Sequence, residues 1–167
     1  MTKKETKNTG EMSTAAEATE AKKAEEKTKE AKGVEPMNNS TELVFILDKS
    51  GSMAGYEEDS VGGFNATVEQ QKTAEGKCWV SAYLFNDNAE LIIDRKDLQE
   101  VPKMEKHDYR VGGCTALIDA IGGGIRHIEE IHKYARKEDV PAHTIFVIMT
   151  DGLENASHRF SSDEVKK

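Results

Sequence analysis

Beyond residue 41 the apolar residues fall into two kinds of pattern, continuous short runs and longer stretches with helical spacing. The run 42–48, Glu-Leu-Val-Phe-Ile-Leu-Asp, is too short for a buried helix and is stopped by Lys-Ser-Gly-Ser, which predicts a strand covered on both faces. Asp59 and Ser60 predict a helix start, with Val61, Phe64 and Val68 on one face as far as Thr73. Gly62 and Gly63 weaken its first turn. The run 78–85, the turn residues Asn86-Asp87-Asn88 and the run 91–93 predict a hairpin. Polar sequence broken by Pro102 then predicts a connecting loop over 94–113.

A second helix is predicted over 116–136, with Ile118, Ile121, Ile125, Ile128 and Ala135 facing a sheet. Gly122-Gly123-Gly124 interrupts it at roughly 1 kcal/mol per glycine, and close approach of helix to sheet would explain at least one of them. A phosphate loop would not, since no Gly-Lys-Ser or Gly-Lys-Thr follows and the glycines lie within a helix. The run 144–150 predicts a fourth strand, again covered on both faces, ending at Asp151-Gly152. Ser161 and Glu164 carry a capping-box signature for a further helix. Strands alternating with amphipathic helices, with one hairpin inserted, predict an α/β fold in which a mostly parallel sheet is flanked by helices.

Composition changes this picture first at the N-terminus. Residues 1–40 carry eight Lys against eight Glu and almost no large apolar side chain, so they cannot bury enough surface to offset the entropy of ordering. They are expected to be a disordered charged tail or linker, with one folded domain over 41–167. Because the tail's charges cancel, the net charge of −8 belongs to the domain. An acidic domain without a basic stripe points away from nucleic acid and anionic membrane as partners. No segment is apolar enough for export or for spanning a bilayer, and Cys78 and Cys114 have no metal-type or redox-type spacing, so a cytoplasmic location is expected. His127 and His132, five apart on a helix, fall on different faces and read as surface residues.

The candidate chemistry lies where the strands end. In a parallel sheet, ligands bind beyond the carboxyl ends of the strands, where neighbouring connections diverge. The first strand delivers Asp48, Ser50 and Ser52, which alternate so that their oxygens can converge while Lys49 points away. The loop before the long helix delivers Thr115, and the fourth strand delivers Asp151. All five are oxygen donors. Such a set selects a hard cation, Mg²⁺ first, with Mn²⁺ or Ca²⁺ possible. Taken singly, each piece is explained as well by turn or cap chemistry, Thr115 as a helix cap and Asp151-Gly152 as a turn. Taken jointly, three oxygen-bearing loops at one sheet edge point to a metal site. Two carboxylates at most cancel the ion's charge, and if one of them binds only through water the ion stays electrophilic and a free position attracts an outside carboxylate.

The segments 43–53, 113–117 and 147–152 resemble the von Willebrand factor type A domain family, in particular its small bacterial stand-alone members. The resemblance covers 41 to the end of the chain. It implies a Rossmann-like sheet and a metal-ion-dependent adhesion site with Asp48, Ser50, Ser52, Thr115 and Asp151 as ligands, some through water. It also implies a binding module for a protein partner that presents a carboxylate, without catalysis of its own. Family domains continue past the position of Asp151 with further helices and strands, so the last strand here is expected to form an open apolar edge, available to a partner or to self-association. An alternative is a Mg²⁺-dependent phosphatase or phosphotransferase of the haloacid-dehalogenase type with Asp48 as nucleophile. The second Asp that such an enzyme needs two residues later is Ser50 here.

Overall fold

A computed structural model describes residues 39–166. The expected tail lies outside the described residues, except that its boundary moves inward: Ser40 already opens the first strand. Four strands, β1 (Ser40–Asp48), β2 (Lys77–Phe85), β3 (Ala89–Asp97) and β4 (His143–Met149), form one sheet in the order β3-β2-β1-β4. β1 is parallel to both its neighbours, with Phe45 opposite Ala82 and Val147, and β2 and β3 are antiparallel. The predicted α/β architecture, a mostly parallel sheet with helices on its faces, is what the chain adopts.

The two faces of β1 explain why it is the central strand. Leu43, Phe45 and Leu47 pack with Val61, Phe64 and Val68 of helix α1 (Glu57–Gln71), and the Phe45 and Phe64 rings meet edge to face at 4.8 Å. Val44 and Ile46 point the other way, with Tyr83 and Phe85, toward Ala120 and Ile128 of helix α2 (Leu117–Tyr134). A strand buried on both faces contains only apolar residues over this stretch. No helix among the described residues is long and apolar enough to cross a membrane.

Several expectations need correction. α1 begins at Glu57 after an uncapped Tyr56, so Asp59 and Ser60 lie within its first turn and do not cap it. Gly63 instead lets α1 approach β4, because a Cβ there would stand 2.8 Å from Cε of Met149. β3 runs on to Asp97 where a loop was expected. A register irregularity opposite Ser81 and a left-handed Arg95 (φ 43°) carry the strand past its apolar run, and the Arg95 guanidinium bonds the buried Glu42 at 2.8 Å. The loop that follows contains two 3-10 turns, Leu98–Glu100 and Lys106–Asp108.

α2 meets the sheet partly on the expected face, through Ile121 and Ile128, but not through Ile125. Ala120, Gly124 and Ile128 lie against the sheet, and a Cβ on Gly124 would be 3.1 Å from Cδ1 of Ile46, the close approach anticipated for one of the three glycines. Ile125 turns instead toward Phe160 and Val165, lining a groove of about 330 Å³. His127 and His132 are half-buried: the first pairs with Asp94 at 3.0 Å, and the second stands 3.6 Å from Glu42. β4 is an edge strand, as expected, and not covered on both faces: Ile145 and Ile148 are 48% and 43% exposed. The capping box forms as predicted, Ser161 and Glu164 exchanging bonds at the start of the short helix α3 (Ser162–Val165).

Candidate metal centre

Asp48 is the last residue of β1, and its neighbour β4 ends one position earlier in register, so both strands release their chains at the same edge. The connections diverge there. After β1 the chain turns to α1 on one face, whereas after β4 it runs to the α2 side, where a Cβ on Gly122 would collide with the Phe160 ring. This is the divergence at which a parallel sheet opens a crevice.

All five expected residues meet in that crevice. The Asp48 carboxylate accepts from the Ser50 backbone N–H at Oδ1 (2.7 Å) and from the Thr150 hydroxyl at Oδ2 (2.6 Å), which fixes both oxygens. Ser50 Oγ lies 3.1 Å from Ser52 Oγ, and Ser52 Oγ donates to Asp151 Oδ1 at 3.2 Å. Thr115 joins them through a shared space: a Cβ built on Gly152 would stand 3.1 Å from Ser52 Oγ, 3.1 Å from Thr115 Oγ1 and 3.2 Å from Asp48 Oδ2. Oxygens from two loops therefore surround one cradle that a glycine of a third loop, Gly152, leaves open. Asp48, Ser50 and Thr115 are buried and form its floor, while Ser52 and Asp151 are exposed at its rim.

The loops are tied to each other by backbone. Gly51 N–H donates to the Gly113 carbonyl (3.0 Å), Gly112 N–H to the Lys49 carbonyl (2.8 Å), and Ala116 N–H to Asn86 O (2.8 Å). Lys49 does point away, pairing with Glu90 at 3.0 Å. Tyr109, buried, donates its hydroxyl to the Asp48 carbonyl, and burial first, then the nearby Asp48 and Asp151 charges, push its pKa up and keep it a donor. Thr115 is not consumed as a helix cap, since α2 is preceded by Ala116 with no side-chain cap.

The donor set fits a hard divalent cation. Among the described residues no three His, Cys, Asp or Glu side chains gather at one point. Three neutral hydroxyls and two carboxylates around one cradle are what an oxygen-seeking ion takes, with water completing its shell.

Sequence reasoning missed Thr150, which orients Asp48, and a group of residues after Asp151. Asn155 accepts from Thr115 N–H (2.9 Å) and returns its own N–H to the Thr115 carbonyl (3.1 Å). Glu154 accepts from the N–H groups of Ile118, Ala156 and Ser157 and from the Ser157 hydroxyl, at 2.7–3.0 Å. Asp119, on α2, accepts from the N–H groups of His158, Arg159 and Phe160 at 2.8–3.1 Å. The polar run Glu-Asn-Ala-Ser after Gly152 was the available signal. Burial alone would raise both carboxyl pKa values, but the backbone N–H donors outweigh it and hold both below the usual range.

A depressed pKa contributes stability that is complete above the unfolded value and disappears as pH falls through the folded one. In metal-free buffer the contribution of Asp119 is therefore expected to persist from neutrality to about pH 5 and to fade below about pH 4. Urea midpoints across that range check it: the gap between the wild type and Asp119→Asn should narrow on acidification, and a gap that stays constant would contradict the assignment.

No protein-family model and no curated protein matches the chain. Among solved structures, proximal thread matrix protein 1 from the mussel byssus, determined with a zinc-occupied MIDAS motif, aligns with a TM-score of 0.41 and 18% identity. The alignment covers 73% of this chain and 31% of that one.

Proposed function

We propose that this chain is a metal-dependent interaction module of the von Willebrand factor type A kind, which holds Mg²⁺ through Asp48, Ser50, Ser52, Thr115 and Asp151 and recognises an acidic group on a partner protein. The cradle beside Gly152 carries the reading, because Asp48, Ser52 and Thr115 reach the same space from two loops far apart in sequence. Mn²⁺ or Ca²⁺ suits the same donors. A bound ion would supply Lewis acidity toward a carboxylate from outside.

The chain's own residues divide the work. Asp48, buried and bonded at both oxygens, is a fixed ligand. Its engagement favours that role over an attacking nucleophile, and Ser50 in place of a second Asp leaves no general acid for the dehalogenase-type alternative. Ser50, Ser52 and Thr115 contribute oxygen without charge, so the ion keeps part of its positive charge. Asp151, at the exposed rim, is the ligand nearest an incoming partner. The module binds and does not catalyse.

Calorimetric titration of Mg²⁺ with and without acetate tests the coupling. Acetate should bind only when Mg²⁺ is present, and each should strengthen the other by the same factor, as linkage requires. Asp48→Ala and Ser50→Ala should lose both effects. Acetate binding that is the same in EDTA, or Mg²⁺ affinity shared by all three proteins, would refute the proposal.

A further inference from the structure

The residues after β4 form a strap across the start of α2. Residues 154–160 touch α2 and its lead-in at four places: Asn155 holds both backbone groups of Thr115, Glu154 takes the Ile118 N–H, Asp119 takes three consecutive N–H groups of the strap, and Phe160 lies over Gly122. None of Asn155, Glu154 or Asp119 is among the five oxygen donors. The strap nevertheless begins at one of them, Asp151, and its Asn155 grips another, Thr115, 40 residues earlier in the chain.

We infer that Asn155, Glu154 and Asp119 are positioning residues for the metal centre, and that closure of the strap sets the distance between Thr115 and Asp151. This rests on the metal reading above. Thr115 sits between Gly113, whose carbonyl accepts from Gly51 N–H, and Ala116, whose N–H donates to Asn86 O, so its neighbours are tied to the other loops while its own backbone groups are taken by the strap. Two hydrogen bonds with Asn155, which accepts from the Thr115 N–H and donates to the Thr115 carbonyl, complete the anchoring of that residue. Asp119 anchors the far end of the strap and so keeps Asn155 in register. Outer partners that orient ligands change metal affinity by roughly 10–100-fold when removed. By reciprocity, an ion that needs the closed strap must hold it closed.

The experiment uses the full chain, with Mg²⁺ as probe by calorimetry and Mn²⁺ by electron paramagnetic resonance, in 0.5 M KCl so that charge acting through space is screened. Asn155→Ala should weaken Mg²⁺ binding by about 10-fold or more. Asn155→Asp, which keeps an acceptor for the Thr115 N–H, should restore affinity to within about 3-fold and return the wild-type Mn²⁺ spectrum; loss of mere stability would not produce that rescue. Asp119→Asn, at a residue in hydrogen-bond contact with none of the five candidate metal ligands, should weaken binding in the same direction. Trypsin cleavage after the exposed Arg159 should slow in the wild type when Mg²⁺ is added, which keeps the test decisive even where Asn155→Ala does not fold. Wild-type affinity in folded Asn155→Ala and Asp119→Asn, or cleavage at Arg159 indifferent to Mg²⁺, overturns the strap while leaving the metal reading intact. A wild type that binds no Mg²⁺ overturns both.

Discussion

Asp48→Asn should remove the thermal stabilisation by Mg²⁺ while leaving the metal-free protein as stable as before, or slightly more so. The asparagine can keep both bonds of the aspartate: its carbonyl can face the Ser50 N–H and its amide can donate to the Thr150 hydroxyl, which then acts as acceptor. What disappears is a buried charge. Without a cation that charge shares the crevice with Asp151, reached through Ser52, so its loss relieves repulsion. With the cation, the floor of the site loses its only carboxylate, and affinity should fall by about two orders of magnitude, ~2.7 kcal/mol. Mg²⁺ at about 100 times its Kd adds ~2.7 kcal/mol to the wild type, a rise in Tm of roughly 5–10 °C for a domain of this size. Differential scanning fluorimetry in EDTA and in excess Mg²⁺ reads both effects. A variant that keeps the wild-type Mg²⁺ shift would remove Asp48 from the site.

Gly113→Ala should be among the most damaging single-methyl additions in the domain. Gly113 has φ +84°, and a Cβ there would stand 2.1 Å from Asp87 Oδ2 and 3.2 Å from Asn86 Nδ2. The left-handed backbone costs a side chain about 1–2 kcal/mol. Displacing Asp87 also breaks its bond from the Cys114 N–H, and crowding Asn86 loosens its grip on the Gly112 carbonyl, each worth about 1 kcal/mol. The expected loss is about 2–4 kcal/mol. Gly123→Ala should go the other way, since nothing lies within 4 Å of its Cβ position. There the helix gains up to about 1 kcal/mol. Urea denaturation of the two variants measures the contrast; equal effects in either direction would mean that backbone conformation and crowding at Gly113 do not govern its loop.

What could be read from the sequence divides along physical lines. The four strands and the hairpin were legible because each is an apolar run bounded by turn residues, a signal contained within ten positions. Asp48, Ser50, Ser52 and Asp151 were legible because they follow the ends of two of those runs, which a parallel sheet brings to one edge, and Thr115 because it follows Gly-Gly just before the long helix. The exact seat of α2 was not legible: isoleucines at 118, 121, 125 and 128 suggest one stripe, and Ile121 and Ile128 do meet the sheet, but Gly124 lets the helix settle close beside Ala120 and turns Ile125 away. Periodicity records which residues are apolar, not how near a helix can come. Glu42 heads the first predicted strand with no partner evident in the sequence, yet it is fully buried, and its partner Arg95 comes from a bulged strand 53 residues away. Asp119 stands in the sequence only as one acidic residue within a predicted helix. It spends its carboxylate on backbone groups about 40 residues downstream, and backbone acceptors leave no mark in a pattern of side chains.

Thr150 and Asp48 are 102 residues apart, and their hydrogen bond joins the last strand to the first. No local nucleus contains the site, so it comes into being only when β4 docks beside β1. An ion bound there arrives after the slow, entropically costly step of closing the chain and cannot hasten it. Its effect falls on the reverse journey. Mg²⁺ should lengthen the lifetime of the folded domain by slowing its unfolding, while refolding proceeds at nearly the same rate with or without the metal.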